Sequence, residues 1–171
     1  MVYKKYKKIA VGGTFDKFHD GHKKLLTTAF DLGKEVEIGV TSNAFGGLKG
    51  NIDSCEERMK SLKEFFWDKS NYNIMVLDDP YGTTVFDKYF DAIVVSEETE
   101  PVAVEINEIR VSKGMCPLDI VVVSFVLADD GNPISSTRIR SGEINKKGNI
   151  LKYYFIIKLN RHVYICISTI Y

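Results

Sequence analysis

The order of hydrophobic patterns predicts an α/β fold, a doubly wound parallel sheet of about five strands with helices on both faces and a C-terminal appendage. Three observations lead there. Strand-like and helix-like runs alternate over the first three-quarters of the chain, the signature of crossover units feeding a parallel sheet. Ala92-Ile93-Val94-Val95 is short, wholly apolar and bounded by Asp91 and Ser96, as suits a central strand covered on both faces. A glycine pair, Gly12-Gly13, separates an apolar run from helical periodicity and marks a strand-to-helix turn.

In chain order, Lys8-Ile9-Ala10-Val11 reads as a buried strand that Gly12-Gly13 breaks, and Leu25, Leu26, Ala29 and Phe30 then recur at helical spacing. His22 shares that helix face, so it points inward over the strand ends. Val36 to Val40 is the second strand, followed by a loop from Ser42 to Asn51 that bears Gly46, Gly47 and Gly50. Ser54 with Glu57 three residues on is a capping box, and the helix it opens carries Cys55, Met59, Leu62, Phe65 and Phe66 on one face. Asn73 to Leu77 is the third strand and Ala92 to Val95 the fourth. A helix from about Pro101 closes before Gly114, with Val102, Ile106 and Ile109 inward. The most apolar strand, Asp119 to Val126, comes last, and Asp129 to Pro133 turns the chain into Ile134-Ser135-Ser136-Thr137-Arg138-Ile139-Arg140, a hydroxyl-rich helix start. From Leu151 the chain changes character: two β-branched and aromatic runs flank Leu159-Asn160-Arg161 and read as a hairpin or an edge appendage. The expected division is therefore a main domain over 1–150 and a tail over 151–171.

The 171 residues are 44% hydrophobic and 27% charged, ordinary for one globular domain with its own core. Lys plus Arg and Asp plus Glu both number 23, so no global positive field exists to hold a nucleic-acid backbone or an anionic membrane. A small polyanion held by local charges fits better. The three cysteines, Cys55, Cys116 and Cys166, are far apart and form no Cys-x-x-Cys pair, which argues against a disulfide framework or a zinc site and for a reducing, cytoplasmic setting. No apolar run precedes the first strand and no segment is uninterruptedly apolar over a bilayer's thickness, so secretion and membrane insertion are not expected.

In an open parallel sheet, ligands sit beyond the carboxyl ends of the strands. The first turn, the Ser42 to Asn51 loop, the Ser96 to Glu100 loop and the Ser135 to Arg138 segment all belong to that edge. Gly12-Gly13-Thr14-Phe15-Asp16 fits neither the dinucleotide nor the P-loop spacing, which sets aside NAD binding and P-loop hydrolysis. A helix start at this turn aims backbone N–H groups at an anion. His19 and His22 flank Asp20-Gly21 there and read as donors to phosphate oxygens, or as two metal ligands lacking the acidic or cysteine partners a metal site needs. Lys49, between Gly46-Gly47 and Gly50, reads as a solvated lysine or as a cation closing over an anion. For Arg58 a place on the solvent side of its helix is an equal reading. Ser135, Ser136 and Thr137 are helix caps or, with Arg138 and Arg140, an oxyanion clamp.

Gly13-Thr14-Phe15-Asp16 with His19-x-x-His22, followed distally by Ile134-Ser135-Ser136-Thr137-Arg138, resembles the nucleotidyltransferase superfamily that carries the H-x-G-H motif. Within it the chain is most similar to the archaeal type of phosphopantetheine adenylyltransferase, including Val94-Val95-Ser96-Glu97-Glu98-Thr99. The likeness runs from about Lys7 to Asn149 and implies a Rossmann-like fold. It also implies that Gly12, Gly13, Thr14 and Phe15 line the site, with His19 and His22 on the ATP phosphates and His22 the principal transition-state donor. Lys49 would lie on the reacting phosphates, Ser135, Ser136, Thr137 and Arg138 would hold the triphosphate, and Ser96, Glu97 and Thr99 would border the nucleotide or the pantetheine arm. The implied partners are ATP, carrying Mg²⁺, and 4′-phosphopantetheine, with the protein a monomer or small homo-oligomer. The rival readings are cytidylyl transfer or adenylyl transfer to nicotinamide mononucleotide on the same fold, a non-catalytic nucleotide-binding domain, and a fragment like a tRNA synthetase.

Overall fold

The computed structural model describes residues 4–47, 50–159 and 162–169, the strands beyond residue 151 by their backbone. Elements follow in the order β1 (Tyr6–Gly13), α1 (Asp20–Leu32), β2 (Gly33–Thr41), α2 (Asn43–Gly47), α3 (Cys55–Phe65), β3 (Tyr72–Leu77), a 3₁₀ turn (Gly82–Val85), β4 (Ala92–Ser96), α4 (Glu100–Ser112), β5 (Asp119–Val123), α5 (Ser136–Arg140), β6 (Lys152–Leu159) and β7 (His162–Thr169). The first five strands form one parallel sheet in the order β3-β2-β1-β4-β5. The chain runs outward from β1 to β3, then returns to lay β4 on the other side of β1. That reversal splits the loops above β1 and β4 apart and opens a crevice at their carboxyl ends.

Alternation along the central strands explains the two layers. Ile9 and Val11 in β1 and Ala92 and Val94 in β4 face one way and pack under α1 and α3 through Leu26, Ala29, Phe30 and Leu62. Ala10, Ile93 and Val95 face the other way and pack under α4 and the 3₁₀ turn through Ala103, Ile106 and Val85. All of β4 except Ser96 is buried, as its unbroken apolar run requires. The capping box at Ser54 and Glu57 is present with both hydrogen bonds. A third cluster of Ala128, Ile134 and Ile144, with Ile139 against it, seats α5.

Several elements depart from the pattern-based expectation. Gly12 and Gly13 do not break β1: they pair with Gly39 and Val40, and Gly13 is the last residue of the strand. Gly13 is small for a different reason, since a Cβ there would stand 3.0 Å from the Phe15 ring folded back over it. The Ser42 to Asn51 loop contains the short helix α2. β5 stops at Val123 rather than Val126 and lies at the sheet edge, where Val122 is exposed despite its apolar character. In α4 the buried line is Ala103, Ile106 and Arg110, with Val102 and Ile109 half-buried beside it. The two tail strands pair antiparallel as a separate two-stranded sheet. Among the described residues no helix is long and apolar enough to cross a membrane.

Candidate active site

The turn from β1 into α1 is strained and firmly held. Phe15 and Lys17 both occupy the left-handed region, at φ 55° and 49°, which costs a non-glycine residue roughly 1–2 kcal/mol each. Surrounding segments over-determine that conformation. The Asp16 carboxylate, almost wholly buried, accepts from the Asp53 N–H at 2.9 Å and pairs with the Arg140 guanidinium. Ser136 Oγ donates to the Asp16 carbonyl at 2.7 Å, and Lys17 pairs with Asp53 at 2.5 Å. Sequence positions 120 or more apart are thereby joined at one turn.

His19 is the N-cap of α1, its Nδ1 accepting from the Gly21 N–H at 3.2 Å. Burial pushes its pKa down to about 4, outweighing the nearby Asp20 and Asp16 carboxylates. The ring is therefore neutral at physiological pH, and with Nδ1 accepting, its proton sits on Nε2 as a donor. His22 stacks on it with centroids 3.7 Å apart and planes 24° from parallel. Phe18 faces His22 at 6.0 Å and 18°, and Phe15 meets it edge-on at 5.3 Å. The His22 ring is thus confined by three aromatic neighbours. Thr14 Oγ1 is buried with no hydrogen-bond partner among the described residues, a group poised for a ligand.

A cleft of about 410 Å³ opens over β1 and β4, within the usual size range of small-molecule sites. Gly13, Thr14, Phe15, His19 and His22 line it from one side and Ser135, Ser136 and Thr137 from another, with Ser96 and Thr99 between them. Ser135 caps α5, its Oγ accepting from the Arg138 N–H at 3.3 Å. Ile52, Val123, Phe125 and Val126 add an apolar wall.

Two expected residues do not line it. Arg138 turns away into ion pairs with Asp130 and Glu143 and donates to the Pro133 carbonyl at 3.1 Å, while Arg140 takes a place in the cleft wall. The reason is helical geometry: Ile139 points into the third apolar cluster, and its neighbours project about 100° to either side of it. Glu97 lies outside the lining and Glu98 within it. Lys49 lies outside the described residues. Arg58, for which a solvent-facing place was an equal reading, is instead buried, and so is Asp16. The missed signal for Arg58 was its spacing from Cys55 and Leu62, which makes it part of the buried line of α3. Among the described residues no group of three or more His, Cys, Asp or Glu is placed to hold a metal ion.

A doubly wound sheet with a histidine pair at its first turn and a hydroxyl-rich helix start across the same cleft defines a nucleotidyltransferase-type architecture. Residues 10–142 match the family model described as cytidylyltransferase-like. Over 151 residues the chain is 58% identical to the phosphopantetheine adenylyltransferase of Methanothermobacter thermautotrophicus, covering 87% of this chain and 92% of that one. It is 49% identical over 148 residues to the enzyme of that name from Methanopyrus kandleri, covering 83% and 93%. Among solved structures it resembles a protein of unknown function from Archaeoglobus fulgidus, with a TM-score of 0.63 and 34% identity over 69% of this chain and 98% of the other. The chain belongs to the phosphopantetheine adenylyltransferase family, within the cytidylyltransferase-like nucleotidyltransferases.

Proposed function

We propose that this cleft carries adenylyl transfer from ATP to 4′-phosphopantetheine, giving dephospho-coenzyme A and pyrophosphate, a step of coenzyme A biosynthesis. Identity of 58% along most of the chain to a phosphopantetheine adenylyltransferase is the observation that carries this reading. A terminal phosphate oxygen of the acceptor attacks the α-phosphorus of ATP, and the bond to the bridging oxygen breaks as pyrophosphate leaves. With a second pKa near 6, the attacking phosphate is already ionised at neutral pH, so no general base is needed. What the protein must supply is alignment of two repelling anions and neutralisation of charge growing on the phosphoryl oxygens.

The residues present suit that task. A neutral His19 with its proton on Nε2, and His22 stacked on it, act as donors to the α-phosphoryl oxygens and the leaving pyrophosphate. Ser136, Thr137 and Arg140 grip the triphosphate from the opposite wall, supported by their place in the cleft. Thr14, with its buried unpartnered hydroxyl, meets the reacting phosphates, and Ser96 and Thr99 border the acceptor arm. Lys49 is retained as a cation on the reacting phosphates. Magnesium arrives with ATP as part of the substrate, held chiefly by phosphate oxygens and water. The dispersed cysteines and the use of ATP fit a cytoplasmic setting.

Pyrophosphate release, measured for each nucleotide and acceptor pair, tests the reading. Turnover is expected with ATP and 4′-phosphopantetheine. Turnover with CTP and glycerol 3-phosphate, and none with ATP and 4′-phosphopantetheine, overturns it.

A further inference from the structure

Arg58 is 1% exposed, among the largest fully buried side chains of the described residues, and its guanidinium hydrogen-bonds to no carboxylate among them. It donates from Nε to the Asp53 carbonyl at 2.8 Å and from Nη1 to the Thr14 carbonyl at 2.7 Å and Thr41 Oγ1 at 3.1 Å. Nη2 donates to the Thr41 carbonyl at 2.7 Å. A buried cation satisfied only by neutral oxygens is costly to maintain, and an apolar side chain of similar volume would serve the core at least as well. What the guanidinium does that an apolar group cannot is join three separate segments of the cleft rim with one rigid planar fork. Thr14 follows β1, Thr41 ends β2, and Asp53 precedes α3.

Two further observations point the same way. Gly46 in α2 packs at this spot, where a Cβ would stand 2.7 Å from Thr41 Oγ1 and 3.4 Å from Arg58 Nη2, so a larger side chain would displace the pair. The Thr14 carbonyl bonded by Arg58 belongs to the peptide plane that enters the left-handed Phe15, and the buried Thr14 hydroxyl in the cleft has no hydrogen-bond partner among the described residues. Fixing that carbonyl fixes the peptide plane and with it where the Phe15 N–H points.

We infer that Arg58 is a positioning residue for the transfer step: without touching either reactant, it sets the strained Thr14-Phe15 turn and the ends of the 42–53 segment relative to each other. The inference rests on the adenylyl-transfer reading above for its kinetic consequence, and on the hydrogen bonds alone for its structural one.

Arg58→Met and Arg58→Lys test it through kcat and KM for ATP, measured by pyrophosphate release, and through backbone hydrogen exchange of peptides spanning 10–20, 41–53 and 100–112. Displacement of reacting groups by an ångström costs about 100-fold in rate, so Arg58→Met is expected to lose about that much kcat with far less change in KM. Arg58→Lys, which keeps the charge and loses the fork, recovers part of the loss. Exchange quickens over 10–20 and 41–53 and stays unchanged over 100–112. A folded Arg58→Met variant with wild-type kcat overturns the inference. Should Arg58→Met fail to fold, Arg58→Lys decides: wild-type kcat and exchange overturn the inference, and lowered kcat with faster exchange at 10–20 supports it. If the wild-type protein releases no pyrophosphate from this substrate pair, the functional reading fails, and the exchange of 10–20 still decides the role of Arg58.

Discussion

Acidification reports directly on the buried imidazole at the start of α1. The pKa of His19 falls from an ordinary 6.5 to about 4, chiefly because the ring loses its water on burial. Between those values the unfolded chain binds a proton that the folded one refuses, so stability is lost as pH falls from about 6.5 towards 4. At pH 5 the unfolded imidazole is about 97% protonated and the folded one roughly one-tenth, a difference of about 2 kcal/mol that rises to about 3 kcal/mol below pH 4. Carboxylates such as Asp87, held below the ordinary range chiefly by its hydrogen bond to Lys8, give up stability only at lower pH, and a variant that removes the imidazole isolates the His19 contribution. His19→Asn does so, since Asn is a good N-cap and preserves the helix start. Urea unfolding of both proteins at pH 7.5 and pH 5 is expected to show the wild type losing about 2 kcal/mol more than the variant. Equal losses would refute a buried, neutral His19.

Removing His22 is expected to separate chemistry from binding. His22→Ala should lower turnover by about 100-fold or more while calorimetry finds ATP affinity little changed, as for a donor acting in the transition state; weakened binding with normal turnover would contradict that role. Arg140→Ala is expected to raise KM for ATP by about 10-fold, the scale of a charged hydrogen bond, and also to lower the melting temperature, because it takes the ion-pair partner from the buried Asp16 carboxylate. Arg138→Ala should chiefly lower the melting temperature, because its partners are Asp130 and Glu143, and the reverse ordering would return the triphosphate contact to Arg138. Phe18→Leu keeps an apolar group but removes the flat face against His22, with an expected loss in kcat of several-fold, on the order of 1 kcal/mol. Unchanged kcat in a folded Phe18→Leu protein would remove the ring from the positioning of His22.

Much of the architecture was legible from pattern alone because the relevant physics is local. An unbroken apolar run such as Ala92 to Val95 has one comfortable place, the middle of a parallel sheet, and there it lies. Ser54 and Glu57 satisfy two orphan N–H groups whatever the rest of the chain does, so the start of α3 was fixed by four residues. The apolar run ending at Val126 was less reliable. Residues 124–126 leave the sheet for the cleft wall, and no periodicity within the run marks where neighbouring β4 ceases to pair with it.

At the site, composition and spacing determined that phosphate-friendly groups cluster at a strand-to-helix turn and at a distant hydroxyl-rich helix start, because histidine, glycine, serine and arginine carry that chemistry in any context. Only the tertiary structure decided which of them meet. The choice between Arg138 and Arg140 turned on Ile139 docking into the pocket of Ala128, Ile134 and Ile144, which sets the rotation of a five-residue helix too short to show a face of its own. Arg58 lies in the core because three carbonyls from separate segments converge on it. Side-chain identity fixes what a group is able to do; the direction in which it does so belongs to contacts made across more than a hundred residues of chain.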